Sequence, residues 1–180
     1  RILAALEQSK QADDTLVIYT SDHGLAMGSH GLRGKQNMYE HTINVPMLFR
    51  GPGVPAGRKC SAQMYLRDLY PTICDYAGVA LSNDVDGISV RPILAGEQER
   101  VHDYVFGYFR DYQRMIRGER WKLIHYPAID RWQLFDLERD PAELRDLSAS
   151  DAHAATRRDL QNKLTAWQER VHDRLAGGSR

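Results

Sequence analysis

The sequence predicts an α/β protein in two parts. Residues 1–98 form the α/β part, and residues 99–180 a small α+β subdomain, about four antiparallel strands packed with a C-terminal helix. Three observations lead there. Leu16–Thr20 and Val45–Phe49 are apolar, β-branched-rich runs without alternation, the pattern of strands covered on both faces, as in a parallel sheet. Beyond the turn-rich, charged stretch Gly96–Arg100, short aromatic-rich runs recur at hairpin spacing. Leu160, Leu164, Trp167, Val171 and Leu175 then mark one face of a helix.

Taken in order, residues 2–10 read as the end of a helix and Asp13-Asp14 as the turn before the first strand. The segment Ser21–Asn44, with Gly24, Gly28, Gly31 and Gly34, is long enough to cross over between parallel strands, with a helical turn near 38–42. Long irregular connections inside compact domains are usually functional. Gly51-Pro52-Gly53 ends the second strand. Residues 64–77 read as a helix presenting Leu66, Leu69, Ile73 and Tyr76, stopped by Gly78. Asn83–Gly87 is turn chemistry. Strands are expected at 103–109, 113–117, 121–126 and 132–137, a helical turn at Asp140-Pro141, and a helix over 151–176 ended by Gly177-Gly178.

The 180 residues carry 24 basic and 24 acidic side chains and are 42% apolar. That balance speaks against a nucleic-acid partner, which needs clustered Lys and Arg to hold phosphates. No run approaches the roughly 18 apolar residues of a membrane span. The chain starts at Arg1 in what reads as a helix already under way, as expected for a piece of a longer protein. Cys60 and Cys74 lack metal-type spacing and read as two buried free thiols, with one disulfide as the alternative.

Asp22 and His23 stand just beyond the first apolar strand, where ligands gather in open α/β sheets. A carboxylate oxygen and an imidazole nitrogen can hold a divalent ion or poise a proton. The same residues also suit a turn cap and a surface histidine. His30-Gly31-Leu32-Arg33-Gly34-Lys35 brings glycines that let backbone approach a ligand and a cation that can neutralise an anion. Gln36 after the lysine excludes a P-loop. A solvated loop lysine is the plainer alternative.

In combination, Thr15–Gly24, Gly28–Lys35, Tyr39-Glu40, Val45-Pro46-Met47 and Gly51-Pro52-Gly53 resemble the C-terminal third of type I sulfatases of the alkaline-phosphatase-like superfamily. Arg120–Ile124 and Leu134–Pro141 are similar to the strand and hairpin of that family's small C-terminal subdomain. The resemblance implies that residues 1–98 complete an alkaline-phosphatase-like α/β sandwich domain. It implies Asp22 and His23 as metal ligands and Lys35 as the contact to the sulfate oxygens; His30 and Arg33 could add substrate contacts, or be ordinary surface or core residues. The implied cofactors are a divalent metal, usually calcium, and a formylglycine nucleophile. The implied substrate is a sulfate monoester, and the loop pattern looks most like sulfatases of sulfated glycans. By the same analogy the location is periplasmic or secreted.

Departures from the family pattern matter equally. The Cys/Ser-x-Pro/Ala-x-Arg motif that yields formylglycine is absent: Cys60 begins Cys-Ser-Ala-Gln and Cys74 begins Cys-Asp-Tyr-Ala. The partner aspartates of the metal site have no candidate either. The 180 residues alone are therefore expected to show no turnover and, with two of the six to eight ligands calcium takes, weak metal affinity. Because imidazole suits softer ions, magnesium, manganese or an acid role for His23 stay open. A phosphonate monoester or phosphodiester hydrolase of the same superfamily is the alternative enzyme, and a non-catalytic binding or structural module the alternative class. Arg110, Arg114, His125 and Trp132 could line a sugar pocket, or be ordinary surface or core residues.

Overall fold

The computed structural model describes residues 1–82 and 84–175. In chain order the elements are helix α1 (Ile2–Gln8), strands β1 (Val17–Thr20), β2 (Ala26–Met27) and β3 (Arg33–Gly34), the single-turn helix α2 (Glu40–Ile43), and strand β4 (Met47–Arg50). Helices α3 (Leu69–Ala77) and α4 (Arg91–Ala95) follow. Strands β5 (Val105–Phe109), β6 (Gln113–Arg117), β7 (Trp121–Tyr126) and β8 (Arg131–Asp136) precede helix α5 (Ala154–Arg170). Contacts group these into two compact units: Arg1–Asp22 with Pro46–His102, and His23–Val45 with the chain from Asp103 onward.

In the first unit, β1 and β4 pair antiparallel, Val17 opposite Arg50 and Thr20 opposite Met47, which corrects the expected parallel pair. Unbroken apolar runs report which faces can be buried and say nothing about strand direction. The connection does not cross over. Its middle, from His23 to Val45, packs in the other unit, and the chain returns beside β1 in reverse. Tyr19 and its partner Leu48 are exposed at 66% and 55%, so this two-stranded sheet is not covered on both faces by the chain's own residues.

Helix α3 ends where expected, at Gly78 in the left-handed conformation. The face it buries differs from the expected one: Pro71, Thr72 and Cys74 are buried, whereas Leu66 and Ile73 are exposed. Polar anchors decide this. Buried Asp68 accepts from the backbone N–H groups of Tyr65 (2.7 Å) and Ile88 (3.0 Å), and Thr72 Oγ1 accepts from Val90 N–H (3.0 Å). They seat the segment 88–90 against Asp68 and Thr72. Both cysteines are free. Cys74 is buried as expected, but Cys60 is exposed, because it lies in a stretch without regular structure. The turn residue Asn83 lies outside the described residues.

The second unit contains the four-stranded antiparallel meander β5-β6-β7-β8, within two residues of every expected strand boundary. Two-residue alternation sorts its side chains. Ile116, Leu123 and Leu134 face α5, packing on Leu160 and Leu164 with Phe106 and Trp167 at the margin. Met115, Ile124 and Phe135 belong to the other cluster and meet Met38 and Tyr39 from the 23–45 segment, with Leu32 and Ile43 packed against it. The sheet is therefore covered on both sides, by a helix and by the glycine-rich loop.

Two local expectations fail here. Asp140-Pro141 makes a turn rather than a helical start, because the Asp140 carboxylate accepts from Leu144 and Arg145 N–H while Glu143 takes φ +58°. Helix α5 stops at Arg170, short of 176, and Val171 is exposed. The chain turns there so that Asp173 reaches buried Arg114 at 2.6 Å, a charge pairing that outweighs the apolar spacing. The expected stop at Gly177-Gly178 lies outside the described residues.

Candidate functional site

β1 delivers Ser21-Asp22-His23 at its C-terminal end, and the boundary between the two units falls between Asp22 and His23. Asp22 is exposed and His23 half-buried. Lys35, exposed at the end of β3, places its Nζ 2.5 Å from His23 Nε2. An ammonium can only donate, so Nε2 accepts, and Nδ1 carries the proton that the Gly24 carbonyl receives at 3.0 Å. Both ring nitrogens of His23 are thus engaged. The sequence placed Asp22 next to His23. The structure adds that Lys35, twelve residues on, comes to the same imidazole.

Backbone packing makes this possible. Gly24 N–H donates to Thr42 O at 2.8 Å, laying the His23-Gly24 segment along α2. A Cβ at position 24 would stand 2.0 Å from the His41 carbonyl oxygen, so only glycine fits there.

His30 and Arg33 go to different environments. Arg33 is exposed on β3. His30 stacks on Tyr39 with ring centroids 4.0 Å apart and has Nε2 3.1 Å from Ala142 O; His41 extends the stack at 5.6 Å. Burial, together with the His30 imidazole and the Lys122 ammonium, pushes His41 below its ordinary pKa. Of the residues considered for a sugar pocket, Arg114 is a core residue, buried in its pair with Asp173. His125 stacks face to face on Trp132 at 3.7 Å, and Arg110 is exposed in the β5-β6 turn.

Sequence reasoning missed a buried charge cluster under α2. Lys122 of β7 is fully buried, its Nζ 3.0 Å from Glu40 Oε1 and 2.7 Å from Glu143 Oε1. Arg117 of β6 contacts the same Glu40 carboxylate at 3.2 Å, and Glu40 N–H donates to Glu143 Oε2 at 2.6 Å. Burial alone would raise the Glu40 carboxyl. The Lys122 ammonium and the Arg117 guanidinium outweigh it and hold it below its ordinary value. Beside the cluster, the Tyr39 and Tyr126 hydroxyls both donate to Gln133 Oε1 at 2.9 Å. The available signal was a lysine inside the otherwise apolar run Trp121–Ile124.

As a metal centre, the chain's donors form a partial set. Among the described residues no group of three or more His, Cys, Asp or Glu side chains is placed to hold an ion. Asp22 and His23 offer one carboxylate and one imidazole, the latter only when Lys35 turns away. They suit a divalent cation whose remaining ligands come from elsewhere.

This architecture is shared with sulfuric ester hydrolases and their relatives. A solved structure described as BT4656 in complex with its substrate D-glucosamine-2-N,6-O-disulfate superposes with a TM-score of 0.88 at 30% identity, covering 98% of this chain and 38% of that one. The phosphonate monoester hydrolase of Agrobacterium radiobacter gives 0.80 at 34% identity, over 94% of this chain and 38% of that one. An N-acetylglucosamine-6-O-sulfatase of Bacteroides thetaiotaomicron is 32% identical over 96% of this chain. The chain spans about a third of that relative's length, 33%. Residues 28–170 match the family profile "N-sulphoglucosamine sulphohydrolase, C-terminal", and the chain belongs to that sulfatase family.

Proposed function

We propose that the whole protein hydrolyses sulfate monoesters of a sulfated glycan, and that this chain contributes Asp22 and His23 to a divalent-metal site and Lys35 to the sulfate site. The observation that carries the reading is the 2.5 Å approach of the Lys35 ammonium to the His23 imidazole, immediately beyond β1. Support for the substrate class comes from the relatives, one named for N-acetylglucosamine-6-O-sulfate chemistry and one solved with a disulfated glucosamine.

When sulfuryl transfer begins, negative charge grows on the leaving oxygen and on the oxygens of the group in flight. Lys35, freed from His23, donates to those oxygens. A donor aimed at the developing charge is worth about 3–4 kcal/mol in the transition state. As Lys35 swings to the anion, the Nε2 lone pair of His23 becomes available, and the Nδ1–H···Gly24 bond keeps the ring's tautomer and orientation. Asp22 and His23 would then hold the cation, calcium by family analogy with magnesium or manganese as alternatives. When bound, such an ion supplies Lewis-acid stabilisation of the sulfate oxygens. A formylglycine nucleophile would come from outside these residues, and the 180-residue chain alone is expected to be inactive.

A second reading, a phosphonate monoester hydrolase, is favoured by the Agrobacterium radiobacter likeness. Steady-state kinetics of the whole protein on paired aryl sulfate and aryl phosphonate substrates decide between them. Higher kcat/KM on sulfate supports the first reading. Preference for phosphonate supports the second, and inactivity on both favours a non-catalytic module.

A further inference from the structure

The geometry points to Lys122 as a positioning residue for the His23–Lys35 pair, acting through Glu40 and α2. The inference rests on the proposed sulfate site and extends it to the sheet face that the 23–45 segment covers.

A fully buried lysine is a poor choice for stability alone. Removing an ammonium from water is costly, and an apolar side chain of similar volume would generally serve the core as well or better. What Lys122 provides is a fixed point. Its Nζ binds Glu40 and Glu143 at once, and Glu143 in turn receives the Glu40 backbone N–H. Arg117 fixes the same Glu40 carboxylate from the neighbouring strand. Glu40 is therefore held by both its side chain and its main chain, although it begins a helix of only four residues that is too short to hold its own shape.

From there the path to the site is contiguous. Two residues after Glu40, the Thr42 carbonyl takes the Gly24 N–H at 2.8 Å. The Gly24 carbonyl takes His23 Nδ1–H at 3.0 Å, and His23 Nε2 takes Lys35 at 2.5 Å. Tyr39, adjacent to Glu40, is separately tied to Gln133 at 2.9 Å and stacked under His30. Each link is a hydrogen bond of 3.0 Å or less, so a shift of α2 is passed to the imidazole and to the lysine resting on it. Displacements of about 1 Å at a reacting centre can cost about a hundredfold in rate.

The test is a double-mutant cycle in the whole protein, with Lys122→Met and Lys35→Ala singly and together, read as kcat/KM on an aryl sulfate and as the dissociation constant for inorganic sulfate. Lys122→Met is expected to lower kcat/KM by about 10- to 100-fold and to change it less than about 3-fold once Lys35 is alanine, because residues acting through one another are not additive. Glu143→Gln, which keeps the core volume and a neutral hydrogen-bond partner, repeats the cycle should Lys122→Met not fold, with a smaller drop and the same loss of effect in the Lys35→Ala background. Equal fold-losses in both backgrounds would mean that the cluster only stabilises the subdomain, and would overturn the inference. A wild type that binds sulfate without turning over aryl sulfates sinks the proposed activity alone; the cycle is then read in sulfate affinity, where coupling supports the inference and additivity overturns it. A wild type that neither turns over nor binds sulfate overturns both.

Discussion

Replacing Gly24 with alanine probes the packing that seats His23. The added Cβ would stand 2.0 Å from the His41 carbonyl oxygen, whereas real Cβ atoms essentially never approach closer than 3.0 Å. The two backbones must part by at least about 1 Å, which takes the 2.8 Å bond from Gly24 N–H to Thr42 O beyond hydrogen-bond range. An unmade bond of this kind costs about 1–3 kcal/mol. In a whole protein about three times this chain's length, as the N-acetylglucosamine-6-O-sulfatase relative is, about 2 kcal/mol lowers the melting temperature by about 2 °C. The same displacement moves His23, and the Lys35 contact with it, by a distance that should reduce aryl sulfate kcat/KM by about a hundredfold. Thermal unfolding and steady-state kinetics of Gly24→Ala in the whole protein measure both. A melting temperature within about 1 °C of wild type, with kcat/KM within about 3-fold, would refute the close approach and the seating of His23 that depends on it.

Leu164→Ala removes a fully buried side chain from the cluster between α5 and the sheet. It should destabilise by about 2–5 kcal/mol in denaturant unfolding, with little change in KM. Asp68→Ala strands two backbone N–H groups and His102 Nε2, which lies 2.9 Å from the carboxylate; a loss of about 3 kcal/mol is expected from the same measurement. The Arg114 guanidinium holds the Asp173 carboxyl down at about 2, below its ordinary 3.8. A depressed acid contributes stability above its unfolded pKa and loses it as pH falls through the folded one. Up to about 2 kcal/mol should therefore disappear between about pH 4 and 2, and Asp173→Asn should flatten that part of the stability profile.

The four strands of the meander were legible because period, aromatic content and turn residues agree at each boundary, and the hairpins that join them are local. The α3 stop at Gly78 was legible for the same reason. The face that α3 buries and the end of α5 were not, because both follow from polar contacts with distant residues, Asp68 to Ile88 and Arg114 to Asp173. Lys122, too, was hidden in its strand. Its meaning depends on Glu40, 82 residues earlier, and pattern analysis within a window cannot see such a partner.

By itself the sequence determined the local elements of the C-terminal sheet, the absence of a long apolar span, and the adjacency of a carboxylate and an imidazole at the end of β1. Periodicity, turn chemistry and adjacency are properties of neighbouring residues, and those are fixed before the chain folds. Only the tertiary structure decided that β1 and β4 run antiparallel, that Lys35 rests on His23, and that the glycine-rich loop lies on one face of the sheet over a buried lysine. These depend on which surfaces remove most apolar area from water while leaving the fewest buried charges unpaired, a comparison made over the whole fold.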